Sequence, residues 1–121
     1  MPRYVTLAEL LELAEEIEDP TVTDFGALIA AVARHQGVVM GMEVYQGSRA
    51  RAAALLHSLA RVPALEAHNA TFAAAVAAAY LDDLGVTIDP DPAKWAALAV
   101  DAAEGRADVA ETAARIRTLT T

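Results

Sequence analysis

Residues able to do chemistry are concentrated in one stretch of this 121-residue chain, RVPALEAHNATF at positions 61–72. Glu66, His68 and Asn69 lie just ahead of an alanine-rich segment that predicts a helix. Free N–H groups in a helix's first turn attract anions such as phosphate, and a carboxylate or imidazole beside them could hold a metal or move a proton. The stretch contains no lysine and no glycine, and Arg61 is its one cation.

Each candidate also has a structural interpretation. His68 is either a neutral base at the helix start or a capping or surface histidine, and Glu66 is either a metal ligand or a helix cap. One carboxylate without partners makes a poor metal site. His57 lies one helical turn before Arg61, which disfavours its charged form, and it is predicted to be a partly buried residue with one hydrogen bond. His35 is predicted to cap the end of its helix, where a cation is favoured.

Apolar residues at helical spacing predict six helices, bounded by capping sequences, prolines and glycines. The segment VVMGMEVYQG, residues 38–47, mixes β-branched residues with two glycines and predicts an irregular loop or a short extended piece. The helices are predicted after Thr6 until Pro20, after Thr23 or Asp24 until near Gly37, from Ser48 to about Arg61, from near His68 to Gly85, after Asp91-Pro92, and from Ala107 to Leu119.

The predicted fold class is all-α, a compact six-helix bundle in a single domain over residues 1–121. The helices over 48–61 and 68–84 are rich in alanine and are predicted to pack antiparallel at its centre. Residues 62–67 connect them. The second helix is predicted to face the core with Phe25, Leu28, Ile29 and Val32.

Composition limits the possible functions. A net charge of −8 predicts no binding to nucleic acid or to anionic lipid. The longest apolar run, residues 72–81, is far shorter than the ~20 residues of a membrane span. With no cysteine, neither a disulfide nor a thiolate metal site can form. The first residues resemble no signal peptide, so we expect a cytoplasmic protein without membrane contact.

The order of segments resembles the death-on-curing (Doc) toxins, the compact branch of the Fic superfamily. The resemblance covers about residues 4 to 119 and is carried by the following segments: RYVTLAELLELAEEI, VTDFGALIAAVARHQ, MEVYQG followed by AAALLHSLAR, LGVTID, and LAVDAAEGRADVAETAARIRTL. The second of these is similar to the pattern D-x-G-x-L-x-x-A-x-A-R-P-Q, with His35 where proline is usual.

The active loop of that family reads HPFxDGNKRT, and this chain departs from it. In an ungapped comparison Pro63 and Thr71 match, and Glu66 takes the acidic place. The other positions differ: Val62 replaces histidine, Ala64 phenylalanine, Ala67 glycine, His68 asparagine, Asn69 lysine and Ala70 arginine. The resemblance therefore implies the fold with a degenerate active-site motif.

The family's chemistry moves a phosphate-containing group from a nucleotide to a protein hydroxyl. Doc toxins act as kinases on a translation elongation factor, and wider relatives attach a nucleoside monophosphate. Such transfer needs a base, a metal-holding carboxylate and cations around the phosphates. Val62 accepts no proton, and Asn69 and Ala70 carry no charge. We therefore expect a pseudoenzyme without a cofactor, the toxin-like half of a toxin–antitoxin pair that acts by binding protein.

Two alternatives remain open at this stage. An active transferase with ATP and magnesium would have a rearranged site made of Glu66, His68 and Asn69, with Glu66 as the weak metal candidate. The other alternative is a structural helical subunit, in which none of these residues has a catalytic role.

An antitoxin-like partner is what the resemblance implies, held as a helix in a groove of the bundle. The residues predicted to line that groove are Met40, Met42, Val44 and Tyr45. Packing beneath the loop is the other interpretation of the two methionines.

Overall fold

A computed structural model describes residues 3–18 and 20–121, so the predicted domain includes three positions, 1, 2 and 19, that lie outside the description. The all-α prediction is confirmed, and one small hairpin interrupts the helices. The elements, in chain order, are α1 (Leu7–Ala14), α2 (Phe25–His35), β1 (Val38–Val39), β2 (Met42–Glu43), α3 (Ser48–Arg61), α4 (Asn69–Asp83), α5 (Pro92–Ala103) and α6 (Val109–Thr118).

Helix starts follow the capping residues of the sequence. The Thr6 side chain accepts from the N–H of Glu9 and completes a capping box, as predicted, and Asp24 rather than Thr23 caps α2. Asp91 caps α5 ahead of a proline, and Asp108 forms a second capping box at α6. Each cap satisfies an N–H group that the helix leaves unpaired, which explains why these starts are readable from sequence.

Helix α1 ends earlier than its apolar spacing predicted. The N–H groups of Glu16 and Ile17 bond to the carbonyls three residues before them, at Leu13 and Ala14. The last turn is therefore narrower than an α-helix, and Ile17 lies beyond the helix, although its side chain still packs against the core.

Helices α3 and α4 form the centre of the bundle and run antiparallel, as predicted. Arg51 in the first turn of α3 donates to Tyr80 in the last turn of α4 (Nε to Oη 3.0 Å), while seven residues connect their other ends. Both helices are buried along most of their length, and their many alanines permit close approach of neighbouring helices.

Helix α2 faces the core with two of the four predicted residues: Leu28 is buried, and Val32 is partly buried against the core. Phe25 and Ile29 are 54% and 55% exposed, whereas Ala27, Leu28 and Ala31 are buried. Hydrogen bonds from the buried His35 fix the rotation of the helix, and small alanines then fill the face next to α3. The periodicity of large apolar residues was therefore right for Leu28 and Val32 and wrong for Phe25 and Ile29.

The hairpin β1–β2 is the extended piece predicted over residues 38–47. Its two-residue turn has positive φ at Met40 (53°) and Gly41 (78°), the conformation that matches the twist of paired strands. Within the part of the chain that is described, no helix is long and apolar enough to cross a membrane.

Candidate functional site

The loop between α3 and α4 is held as a fixed structure by the segment that precedes α2. The N–H of Glu66 donates to the carbonyl of Thr21 (2.9 Å), and Ala64 O accepts from the N–H groups of Thr23 and Asp24 (2.8 and 3.1 Å). A single β-bridge joins Val22 to Leu65. The backbone of the predicted phosphate-binding turn is thus paired with a neighbouring strand-like segment.

Asn69 holds the same loop from the other side. Its Oδ1 accepts from the N–H groups of Ala64 and Leu65 (3.1 and 3.0 Å), and its Nδ2 donates to the carbonyl of Leu65 (3.0 Å). Three hydrogen bonds commit both ends of the amide to the backbone. In this arrangement Asn69 positions the loop, and its Oδ1 and one N–H of its Nδ2 are used by the backbone.

Glu66 and His68, the other two candidate residues of the rearranged site, share no hydrogen-bond partner among the described residues. Glu66 and His68 are exposed, and within residues 3–18 and 20–121 neither side chain makes a hydrogen bond. His68 occupies the N-cap of α4 with left-handed φ and ψ of 61° and 32°, and no side chain caps the helix. Glu66 is therefore not the predicted cap. The described residues also contain no group of three or more His, Cys, Asp or Glu positioned to hold a metal.

The first turn of α4 keeps its anion-attracting backbone. The first hydrogen bond of the helix runs from the Phe72 N–H to the His68 carbonyl (3.0 Å), and no side chain satisfies the N–H groups ahead of it. Their partial positive charge favours an anion. The side chains next to this turn supply no cation, because Asn69 is committed to the loop and Ala70 is apolar.

Val62 ends α3 at the position where the resembled family carries histidine. Its side chain is 53% exposed and cannot accept a proton. The loop therefore has a folded backbone and an open helix end, with no proton acceptor at position 62 and no cation at positions 69 and 70.

The predicted groove residues lie on and after the hairpin. Met40 is 97% exposed at its tip, and Met42 and Val44 are exposed beside it. Tyr45 is partly buried, and its hydroxyl accepts from Arg34 Nε (2.9 Å). Val38 and Val39 are exposed as well, so the hairpin carries a run of exposed apolar side chains.

The largest cavity described, about 400 Å³, lies between α4 and the start of α5. Alanines of α4 form one side, and Trp95 with two prolines forms the other. A further cavity of about 320 Å³ lies between α2 and α3 and is lined by Arg34, His57 and Arg61. The sequence did not predict this second cavity, because nothing in the spacing of Arg34 and Arg61 indicates that both line the same cavity.

A buried polar network joins the other end of α3 and α4 to the hairpin. Arg51 bonds to Tyr80 and forms an ion pair with Glu43 (2.7 Å), and the Tyr80 hydroxyl donates to the Arg3 carbonyl (2.6 Å). Tyr4 donates to the other oxygen of Glu43 (3.2 Å). The network connects α3, α4, β2 and the N-terminal segment.

His35 belongs to this buried end and is not the charged helix cap predicted from its position. Its Nε2 accepts from the Val5 N–H (2.9 Å) and its Nδ1 donates to the Arg51 carbonyl (3.0 Å), so both nitrogens are used by the neutral ring. Burial lowers the pKa of His35, and the charges of Arg51 and Arg3 act in the same direction. A helix-end cation needs solvent, which this site excludes.

The prediction for His57 is confirmed. The residue is partly buried, and its Nδ1 lies 3.0 Å from Arg34 Nη1. Burial lowers the pKa of His57, the charges of Arg34 and Arg61 add to that effect, and Asp108 opposes it. His57 is therefore neutral at physiological pH.

Comparison with known proteins gives a partial match. No protein-family model matches the chain. Over 70 residues, 58% of this chain, the sequence is 46% identical to a curated protein named Toxin Doc from Mycolicibacterium smegmatis. The chain covers 54% of that protein, so it spans about half the length of the curated relative it matches. The chain is thus similar to a Doc toxin, which agrees with the resemblance given by its segment order.

Proposed function

We propose that the chain is the toxin-like component of a toxin–antitoxin pair in the cytoplasm, with the fold of the Fic superfamily and a catalytically degenerate motif, and that it acts by binding protein. The observation that carries the proposal is the 46% identity with Toxin Doc over 70 residues. The six-helix, all-α architecture agrees with that fold.

The absence of transfer chemistry is argued from the loop. A missing general base costs about 10²–10⁴ in rate, and Val62 provides none. Cations that neutralise developing phosphate charge also raise the rate of such a reaction. Asn69 carries no charge, and its amide oxygen accepts from the backbone of Ala64 and Leu65. Two separate requirements of the reaction fail at the motif positions.

Protein binding is argued from the hairpin. Contiguous exposed apolar residues on a small protein mark an interaction site more often than isolated ones do. The hairpin surface is made of Val38, Val39, Met40, Met42 and Val44, all of them exposed. An apolar face of an antitoxin-like partner would cover it.

Binding of a partner can be tested by comparing two exposed apolar surfaces, the hairpin and the outer face of α2. We expect purification from the native host to recover a stoichiometric companion, and calorimetry with that companion to show weaker binding for Met40→Ser with Met42→Ser. The control is Phe25→Ser with Ile29→Ser, which removes exposed apolar surface from α2 instead. Purification of the protein without any companion would contradict the proposal.

An active transferase is the second candidate, supported by the uncapped first turn of α4 next to Glu66. ATP with magnesium should leave the melting temperature unchanged for a protein-binding pseudoenzyme and raise it for a nucleotide-binding enzyme. Labelled ATP, GTP or CTP should give no transfer to an elongation factor or to the protein itself. Transfer that is lost on Glu66→Ala with His68→Ala would establish the rearranged site.

A further inference from the structure

The cavity between α2 and α3 has an apolar floor and a basic wall. Three alanines of α2 leave the space open, and Arg34, His57, Ser58 and Arg61 project around it. Arg34 is held in place by neutral groups: Nε donates to the Tyr45 hydroxyl, and Nη1 contacts His57 Nδ1 (3.0 Å) and Ser58 Oγ (3.1 Å). A positioned guanidinium group therefore borders the cavity without a negative charge bonded to it.

The two arginines of this cavity differ from most cations of the chain. Among residues 3–18 and 20–121, five of the nine Lys and Arg side chains form ion pairs, namely Arg3, Arg51, Lys94, Arg106 and Arg115. Arg34 and Arg61 form none within the described residues, although the chain carries a net charge of −8. Arg61 donates to a backbone carbonyl, that of Ala103 (2.8 Å). Two of the four cations without an ion pair among the described residues thus line the same cavity, and the other two are Arg49 and Arg117.

Hydrogen bonding also fixes which nitrogen of His57 carries a proton. Arginine donates only, so Nδ1 of His57 accepts from Arg34, and the proton of the neutral ring lies on Nε2. That Nε2–H has no partner within residues 3–18 and 20–121, and neither does Nη2 of Arg34. Asp108, the acidic group that acts on His57, is engaged in capping α6, where it accepts from the Glu111 N–H (2.8 Å).

We propose that this cavity is a binding site for a carboxylate on a short apolar stem, held by Arg34 and Arg61, with the Nε2–H of His57 as a third donor. Guanidinium groups bind carboxylates through paired charge-assisted hydrogen bonds. The alanine floor fits methylene groups better than a fully hydrated anion. The carboxylate can come from a free small acid or from an acidic side chain of a bound peptide, and neither source depends on the proposed toxin function.

The test is an NMR titration of the full chain with glutarate, following the ring protons of His57 and the Nε–H signals of the arginines. We expect saturable shifts at these residues, together with a rise in the titration midpoint of His57, because a bound anion favours its charged form. Glutaramide, the neutral analogue, should give no shifts. Acetyl-Ala-Glu-Ala-amide distinguishes the two sources: it binds if the site takes a side chain, and only glutarate binds if it takes a free acid.

Three variants tie binding to the proposed residues. Arg61→Gln should weaken glutarate binding about tenfold by removing one charge-assisted bond. Arg34→Lys, which keeps the charge and loses the planar fork, should weaken it to a similar degree. Arg117→Gln removes an exposed arginine of α6 and should leave affinity unchanged.

Either of two results overturns the site. Equal affinity of Arg61→Gln and Arg117→Gln for glutarate would show a nonspecific charge effect. Arg61 is exposed, so its replacement is compatible with folding. Inorganic phosphate binding tenfold more tightly than glutarate would show that the cavity selects a different anion.

Discussion

The two ends of the central α3–α4 pair are built differently. At one end, Arg51, Tyr80 and Glu43 bury charge and satisfy it, and His35 uses both ring nitrogens. At the other end, one amide and a few backbone bonds hold a loop whose other polar side chains face solvent. Several side chains tie the first end together, whereas the second is held by backbone hydrogen bonds and by the one amide side chain of Asn69.

This difference explains how the motif positions can vary while the fold persists. Val62, Glu66 and His68 make no side-chain hydrogen bond that the loop requires, so substitution there leaves the backbone pairing with residues 21–24 intact. Substitution at the buried end would leave charges unpaired at low dielectric. Substitution of Val62, Glu66 or His68 should therefore cost little folding stability.

Arg51→Met should have the largest effect on stability. It leaves Glu43 without its cation and Tyr80 without a donor, and we expect the free energy of unfolding to fall by about 3 kcal/mol. Denaturant unfolding measures this. Arg49→Met is the control on the same helix: its guanidinium donates to Thr120 Oγ1 (2.7 Å), and it should cost about 1 kcal/mol or less. Equal losses of unfolding free energy in Arg51→Met and Arg49→Met would show that the buried network contributes no more than a single surface hydrogen bond.

Asn69→Ala should be the most costly single change at the loop. Three hydrogen bonds to Ala64 and Leu65 disappear, and we expect a loss of about 2 kcal/mol. Amide hydrogen exchange at Ala64 and Leu65 should become faster. Thr71→Ala, an exposed neighbour on the same helix, should change stability by no more than about 0.5 kcal/mol. If both variants behaved alike, Asn69 would not be the residue that holds the loop.

Acidification should lower the free energy of unfolding, and the buried His35 is one cause. Because the pKa of His35 is lowered in the folded state, the unfolded chain binds more protons in this range. The contribution is complete above the unfolded pKa of about 6.5 and is lost as pH falls towards the folded pKa. His57 acts in the same direction.

Denaturant unfolding from pH 8 to pH 5 tests this dependence. The decline in stability should be smaller in His35→Gln than in the wild type, and smaller again when His57→Gln is added. A decline of the same size in all three proteins would assign the pH dependence to other groups.

The sequence predicted what local rules control and missed what depends on packing. Capping residues located the starts of α1, α2 and α5, and the alanine content of α3 and α4 placed them at the centre. The start of α6 was predicted at Ala107, two residues early, because its cap Asp108 was not recognised. For α2 the prediction failed at Phe25 and Ile29, which are exposed. The bonds of His35 to Val5 and Arg51 hold this helix, and these partners are distant in the chain. The loop between α3 and α4 was located correctly. Hydrophobic periodicity cannot show, however, that the Asn69 side chain forms hydrogen bonds with the backbone of this loop.

The smallest effect is expected at His68, and it has the opposite sign. His68 has a φ of 61°, a left-handed conformation that costs residues with a Cβ about 1–2 kcal/mol. Its side chain makes no compensating hydrogen bond among the described residues, and it does not cap α4. Glycine adopts this conformation without steric cost, although it loses more backbone entropy on folding. His68→Gly should therefore raise the free energy of unfolding by about 0.5 kcal/mol, measured by denaturant unfolding. His68→Ala, which keeps a Cβ, is the control and should not stabilise. A loss of stability in His68→Gly would mean that the imidazole contributes to the loop and that this end, too, depends on its side chains.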